Sequence, residues 1–494
     1  MFKNYLKIAW RNLWKNKGYS ALNIFGLAIG ITCASLILLW VEDESSFDNL
    51  PKQDQVFYVP TNQKYEGEWG TYYSTPMLLA QDLKNEIPEV VKAVATAQRD
   101  LLFTEGDNAI NRQGRYAKAD LFDIFSLQFI QGDKATAFNN PDAIVLTQKT
   151  ATDLFGADTQ VLNKVLRVNN EDNYVITGVV KDLPKNMSFG FEWLAPFERY
   201  SAGVEWMQEY GSNFTDTFVE LAPGADFEAV NAKVKKIIPS KIDQAETYAF
   251  LHSIKDWHLR SQFERGKIVG GQIEYVRMFT FIALIILLIA CINFMNLSTA
   301  RSEKRANEVG VRKAMGSGRS RLVIQFITEA LILAFIATLV SVVLLFILLP
   351  QFNLLIEKDL VLGLGEPSHI LILIFITVVC GVFAGLYPAF YLSAFKPVEV
   401  LKGLKVTQGS ATFIRKGLVV GQFTISIVFI ISTILVYQQI QHVKNRDLGY
   451  DKDQLISMNI NGSMVEKFSV IKQDLIGTGA ITSVALSNSE ILSG

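Results

Sequence analysis

Five stretches of the chain stay apolar for longer than the ~18 residues that call for a bilayer span. They lie at 19–41, 278–300, 322–350, 369–393 and 417–437. Their length excludes strands and ordinary core helices. The insert between the first two, 42–277, has a different rhythm, with short alternating or β-branched runs separated by amphipathic ones. That rhythm predicts strands at Gln55–Val59, Ala93–Ala97, Ile144–Gln148, Lys164–Val168, Tyr174–Val180 and Thr217–Leu221. It predicts helices at Pro76–Ile87, Asp120–Leu127, Lys149–Phe155 and Phe227–Ile238. Phe122, Phe125 and Phe129 follow helical spacing and read as core. Asn169 to Asn173 reads as a hairpin loop, because the glycine and terminal glutamate of a calcium loop are missing from their positions. The expected fold class is an α-helical multi-pass membrane protein with an inserted α+β extracytoplasmic domain.

Charge orients this arrangement. Lys3, Lys7, Arg11, Lys15 and Lys17 precede the first span; Arg301, Lys304, Arg305, Arg312, Lys313, Arg319 and Arg321 lie between the second and third; Lys396, Lys402, Lys405, Arg415 and Lys416 lie between the fourth and fifth. The loop between the third and fourth carries Glu357, Asp359 and Glu366 against the single Lys358. By the positive-inside rule the N-terminus is cytoplasmic and the large insert outside, in a cell (inner) membrane. The first span is too long for a signal-peptide core and reads as a retained anchor. Hydrophobic residues make up 50% of the 494, the formal net charge is −1, and no basic domain points to nucleic acid. Cys33, Cys291 and Cys380 all fall within spans, so the exported insert has no disulfide framework and must rest on its core.

The most informative segment is 301–316, helix-forming from Ala300 to Met315 and stopped by Gly316, where a simple crossing loop would need far fewer residues. Glu308 precedes Arg312 by four positions, the supportive order, while Val311, Ala314 and Met315 form an apolar stripe on another face. A helix of this kind suits docking into a groove on a partner protein. Within the spans, Asn293, Asn296 and Glu329 are the main polar residues, too few for a hydrophilic conduit. Glu329 reads either as a relay or gate, or as a packing residue paired with Arg321 or Gln325. Gly26/Gly30 and Gly381/Gly385 repeat G-x-x-x-G, as span-packing positions at which these two spans meet each other or a partner's, or as glycines tolerated by membrane helices.

No G-x-x-x-x-G-K-[ST] string and no metalloprotease signature occurs, and the four histidines are scattered, with Trp257-His258 reading as a packing pair. No catalytic, cofactor-binding or metal-binding residues are expected of the chain itself.

The order of parts, with "EVGVRKAMGS" at Glu308–Ser317, "PVEVLKG" at Pro397–Gly403, and "PDAIVLTQKTATDLFG" and "YVITGVVKDLP" in the insert, resembles the MacB/FtsX-like permeases of ABC transporters. The resemblance covers nearly the whole chain. It implies a cytoplasmic N-terminal amphipathic helix at 1–18, a first span at 19–41, a MacB-type periplasmic core domain at 42–277 and an FtsX-like permease domain at 278–393 with its coupling helix at 301–316. A cytoplasmic linker at 394–416 and a fifth span at 417–437 would follow. It further implies that Glu308, Val309, Gly310, Val311, Arg312, Lys313, Ala314 and Met315 couple the chain to a separate ABC ATPase subunit, which would bind the ATP. The machine would transmit motion to the outer domain rather than conduct substrate. Antimicrobial peptides, macrolides, lipoproteins and siderophores are the substrate classes implied, with membrane lipids, a periplasmic adaptor, an outer-membrane channel and a dimeric or pseudo-dimeric state as further partners. The alternative is a signal relay that activates an extracytoplasmic hydrolase or a sensor kinase.

A shift of 399 positions aligns Lys17-Gly18 with Lys416-Gly417, Ile31 with Ile430, Leu36 with Leu435, Asp48 with Asp447 and Asp54-Gln55 with Asp453-Gln454. Gln81-Asp82-Leu83 finds a counterpart in Gln473-Asp474-Leu475, followed by a β-like run at Ile481–Leu486. These matches predict that 438–494 begins a second extracytoplasmic domain of a duplicated protein of about 800 residues.

Overall fold

The structure, a computed structural model, describes residues 11, 14–15, 17–106, 108–157, 160–242, 246–300, 302–393, 409–446, 454–458, 460 and 463–487. The expected amphipathic helix at 1–18 and the linker segment 394–408 lie almost wholly outside these residues.

Among the described residues, five helices have the length and apolar character of membrane spans: Lys17–Ser45 (span 1), Gln272–Ala300 (span 2), Arg319–Ile356 (span 3), Pro367–Ser393 (span 4) and Gly409–Lys444 (span 5). In lipid every backbone amide must be satisfied within its own segment, which leaves helix as the available form for these sequences. At 1.5 Å per residue, the 38 residues of span 3 run about 57 Å, so the helix extends well beyond a hydrocarbon layer of about 30 Å.

Spans 1 to 4 form a bundle. A Cβ on Gly30 would lie 2.5 Å from Ala290 Cβ, and one on Gly26 would lie 3.2 Å from Asn293 Nδ2, so the glycines of span 1 seat it on span 2. Cβ atoms on Gly381 and Gly385 would lie 2.8 Å from Leu331 Cδ2 and 2.7 Å from Ala330 Cβ, so the glycines of span 4 seat it on span 3. The sequence pattern leaves open a meeting of spans 1 and 4, a partner's span or simple tolerance; within the chain each glycine pair contacts its own neighbour, span 2 for Gly26/Gly30 and span 3 for Gly381/Gly385. Each glycine pair receives the small or flexible residues of its own neighbour, because close backbone approach needs a small partner surface and not a second glycine motif. Hydroxyl pairs add cross-links, Thr32 Oγ1 to Ser341 Oγ at 3.0 Å and Thr338 Oγ1 to Thr377 Oγ1 at 2.8 Å. Span 5 lies at the edge against span 2, and none of its described residues is buried.

Between spans 1 and 2 sits the α+β domain. Among the described residues its main sheet has eleven strands. Nine of them run in the order His252–Ser253, Val56–Tyr58, Asn213–Leu221, Val90–Glu105, Asn108–Ala117, Trp193–Pro196, Ala143–Thr147, Asp172–Val180 and Phe129–Gly132. Thr75–Pro76 and Val165–Val168 pair beside that path. Side chains alternate between faces. Phe218 and Val94 enter one core with Tyr58, Phe125 and Phe189. Their neighbours Val219, Ala93 and Ala95 enter another beneath the helices Met77–Glu86 and Phe227–Lys241. Phe122 and Phe125 are buried and Phe129 packs against them. The loop after Val168 is a hairpin turn, with Asn169 and Asn170 at φ 51° and 61°.

Two expectations change. The strand expected at Ala93–Ala97 runs from Val90 to Glu105, and its Thr96–Glu105 part pairs with Asn108–Ala117, whose mostly polar sequence carries no alternation to read. Its far half is held by that ladder and by Leu101 and Phe103, which are buried in one core with Val168 and Trp193. Ile481–Leu486 is not a strand among the described residues, because a β-like run needs a partner edge. Gln473-Asp474-Leu475 does lie on a helix, Phe468–Gly477, as Gln81-Asp82-Leu83 lies on Met77–Glu86.

Candidate functional site

The helix between spans 2 and 3 runs Ser302–Ala314 and lies at the end of the bundle opposite the extracytoplasmic domain. Its stop is a Schellman cap. Gly316, at φ 91°, donates its N–H to Lys313 O at 3.0 Å, and Ser317 donates to Arg312 O at 3.0 Å. Arg301 lies outside the described residues.

One face of this helix is fastened to the bundle. Val309 is 2% exposed and packs with Leu322 and Phe326 of span 3 and Ala389 and Leu392 of span 4. Gly310 beside it is also buried. Lys313 Nζ donates to the Ser393 carbonyl at 2.6 Å, near the end of span 4 where free carbonyls collect. Partial burial, with Arg319 nearby, holds the Lys313 ammonium below its ordinary pKa. Arg312 forks: Nη2 donates to Glu308 Oε1 at 2.6 Å, and Nη1 donates to Gln325 Oε1 at 2.7 Å. Gln325 Nε2 in turn donates to Glu329 Oε1 at 3.3 Å. Glu308, Arg312, Gln325 and Glu329 thus form one polar line from the helix surface into span 3. Of the two partners expected for Glu329, it is Gln325 that reaches it.

The other face is open. Val311 is 45% and Met315 75% exposed, with Ala314 exposed between them. This apolar stripe is left open among the described residues, so it presents a contact surface on a helix fastened to spans 3 and 4. The pattern of the sequence separated the Glu308–Arg312 pair from the apolar stripe. It did not show that Val309 serves as the anchor, nor that Gln325 and Ser393 receive the helix. Those roles depend on which faces of spans 3 and 4 point inward.

The fold and site define a multi-pass membrane protein whose extracytoplasmic α+β domain stands on a bundle with a fastened interspan helix at its far end. The MacB-like periplasmic core domain model matches residues 20–237, and the FtsX-like permease C-terminal model matches residues 280–397. The macrolide export ATP-binding/permease protein MacB of Burkholderia lata is 24% identical over 81% of this chain and 57% of its own length. A probable export ATP-binding/permease protein of Pseudomonas fluorescens is likewise 24% identical over 81% of this chain, and 60% of its own length is covered. The chain therefore spans less than two thirds of these relatives. The uncharacterized ABC transporter permease YvrN of Bacillus subtilis is 22% identical over 81% of this chain and 99% of its own. Among solved structures, the periplasmic region of MacB from Actinobacillus actinomycetemcomitans matches at 12% identity and TM-score 0.31, covering 40% of this chain and 88% of that one. The chain belongs to the MacB/FtsX-like family of ABC transporter permeases.

Proposed function

We propose that this chain is the membrane subunit of an ABC transporter in which a separate ATPase docks on the Val311, Ala314 and Met315 stripe. The observation that carries this reading is the two-sided character of the interspan helix, one face fastened to spans 3 and 4 and the other apolar and exposed. A helix held in that way passes a push on its open face to both spans instead of swivelling. In this reading the N-terminus and the helix are cytoplasmic, 42–277 is the working extracytoplasmic domain, 278–393 is the permease unit, and 438–494 opens a second exported domain. The bundle interior is closed by Leu27, Ile31, Ala334, Ala337 and Ile376, which favours mechanical transmission over conduction. The cargo class is an antimicrobial peptide, macrolide, lipoprotein or similar substrate, exported or extracted at the outer domain, with an adaptor, an outer channel and a dimeric arrangement as the assembly. The same mechanics would serve a relay to an extracytoplasmic hydrolase or a sensor kinase, and the partner that co-purifies with the chain and its ATPase separates the two.

The test places a charge on the stripe. Val311→Asp or Met315→Asp would bury an unpaired carboxylate in the contact, at a cost of several kcal/mol. Either substitution is expected to weaken ATPase co-purification at least about a hundredfold while the chain still inserts. Glu308→Ala removes an exposed helical pair worth about 0.3–0.5 kcal/mol and should do far less. Wild-type capture of ATPase by both aspartate variants would remove the docking role.

A further inference from the structure

At the other end of the bundle a second cluster joins three parts of the molecule. Span 3 ends at Ile356, its cap Glu357 lies in the left-handed region at φ 55°, and the chain turns sharply into the loop before span 4. The Asn353 side chain braces that loop, accepting from Leu360 N at 3.2 Å and donating to Leu360 O at 2.9 Å. Leu360 and Leu362 are buried beside Leu36, Leu345 and Leu349. The loop is therefore held against span 1, and it presents Lys358 in a fixed direction.

Lys358 Nζ lies 2.5 Å from both Asp43 Oδ2 and Glu44 Oε1 at the end of span 1, and 4.9 Å from the centre of the Phe47 ring. The other oxygen of Glu44, Oε2, lies 2.5 Å from His258 Nε2, whose ring stacks on Phe47 at 3.7 Å. His258 follows Trp257, which stacks on Tyr58 and tilts against Phe218 in the domain core. Glu44 and Lys358 are largely shielded from water, at 8% and 19% side-chain exposure, so this pairing is screened far less than a surface bridge. A parallel bridge, Lys185 to Asp359, is exposed on both sides and contributes little. Covalent links to the domain run only through spans 1 and 2. Spans 3 and 4, which hold the interspan helix, meet the end of span 1 and the domain through this shielded cluster, through the exposed Lys185–Asp359 bridge, and through His369 Nε2 at 3.2 Å from Glu42 Oε1.

We propose that Lys358 is the positioning residue through which displacement of spans 3 and 4 is transmitted to the extracytoplasmic domain, by way of Glu44 and His258. The inference rests on the coupling reading above, and it adds the output end of the lever. Lys358 is suited to the role because it stands two residues past the end of span 3, on a braced loop, with its charge on the acidic end of span 1.

The test uses the full chain in lipid nanodiscs, alone and with its ATPase, with spin labels at Asn139 in the domain and Gly365 in the loop. In the chain alone, Lys358→Met is expected to broaden the label-to-label distance distribution at least twofold, and Lys358→Arg to keep it narrow. In the complex, Lys358→Met should retain ATP hydrolysis within twofold of wild type while the nucleotide-dependent change in that distance is lost. A merely structural residue would not separate hydrolysis from displacement in this way. A Lys358→Met complex whose domain moves as in wild type overturns this inference alone. A wild-type complex in which nucleotide moves nothing overturns it together with the reading beneath it.

Discussion

Where spans 1 and 2 cross, the contact is made by Gly30 against Ala290; in the extracytoplasmic sheet the equivalent space is filled by Trp193, with Tyr116 and Phe103 set edge-on to it at 5.1 and 6.3 Å. The two regions solve the same packing problem under different solvents. In water, each square ångström of apolar surface buried is worth about 25 cal/mol, so large rings give the most stabilisation per residue. In lipid, side chains gain nothing by leaving hydrocarbon for hydrocarbon, so helices associate through close backbone approach and a few polar links. Gly30, Gly381 and Gly385 provide the first, and Thr32–Ser341 and Thr338–Thr377 the second. Even glycines of the sheet serve rings: a Cβ on Gly114 would collide with Trp193, and one on Gly178 with Phe129.

The largest effect that sharpens this contrast is expected from Trp193→Ala. The residue is fully buried and its indole donates to Arg112 O at 2.9 Å, so truncation should cost the domain about 3–5 kcal/mol. Urea unfolding of the full chain in detergent would show it as a lowered midpoint for the domain's β-sheet signal, with the helical signal of the bundle retained. Next is Gly30→Leu, which must separate spans 1 and 2 and should destabilise the bundle by about 1–3 kcal/mol. Its control is Gly421→Leu in span 5, where nothing lies within 4 Å and thermal unfolding should be unchanged. Equal losses from the two glycine variants would break the comparison, since close approach would then not be what distinguishes Gly30. The smallest effect is expected from Thr338→Val, because Thr377 keeps its own bond to Leu373 O at 2.7 Å. A loss of about 0.6 kcal/mol fits the usual worth of hydrogen bonds between membrane helices. A loss as large as that of Trp193→Ala would mean the bundle depends on polar links far more than its geometry implies.

Much of this architecture was legible along the chain, for reasons that differ by region. The spans are visible because a membrane imposes its thickness on a continuous apolar run, whatever the neighbouring helices do. The interspan helix is visible because 3.6-residue periodicity sorts Glu308 and Arg312 from Val311, Ala314 and Met315 without reference to a partner, and because Gly316 marks its end. Strands were legible where the run is apolar and both faces are buried, as at Ile144 and Val145 or Phe218 and Val219, and illegible at Asn108–Ala117, where a mostly polar run is held by its ladder to Thr96–Glu105 and is buried only towards Tyr116 and Ala117.

What the sequence determined by itself was thus the count and order of spans, the mixed character of the insert, and the two-faced interspan helix, all of which depend on local pattern and chain-length constraints. Only the tertiary structure decided that Val309 and Lys313 anchor that helix to spans 3 and 4, that each glycine pair serves its own neighbour, and that Lys358 meets Glu44 and His258. Lys358 is separated from those partners by 314 and 100 positions. A pairing over such distances leaves no periodic trace, because it depends on which helix faces meet when the bundle closes and on where the domain then rests upon it.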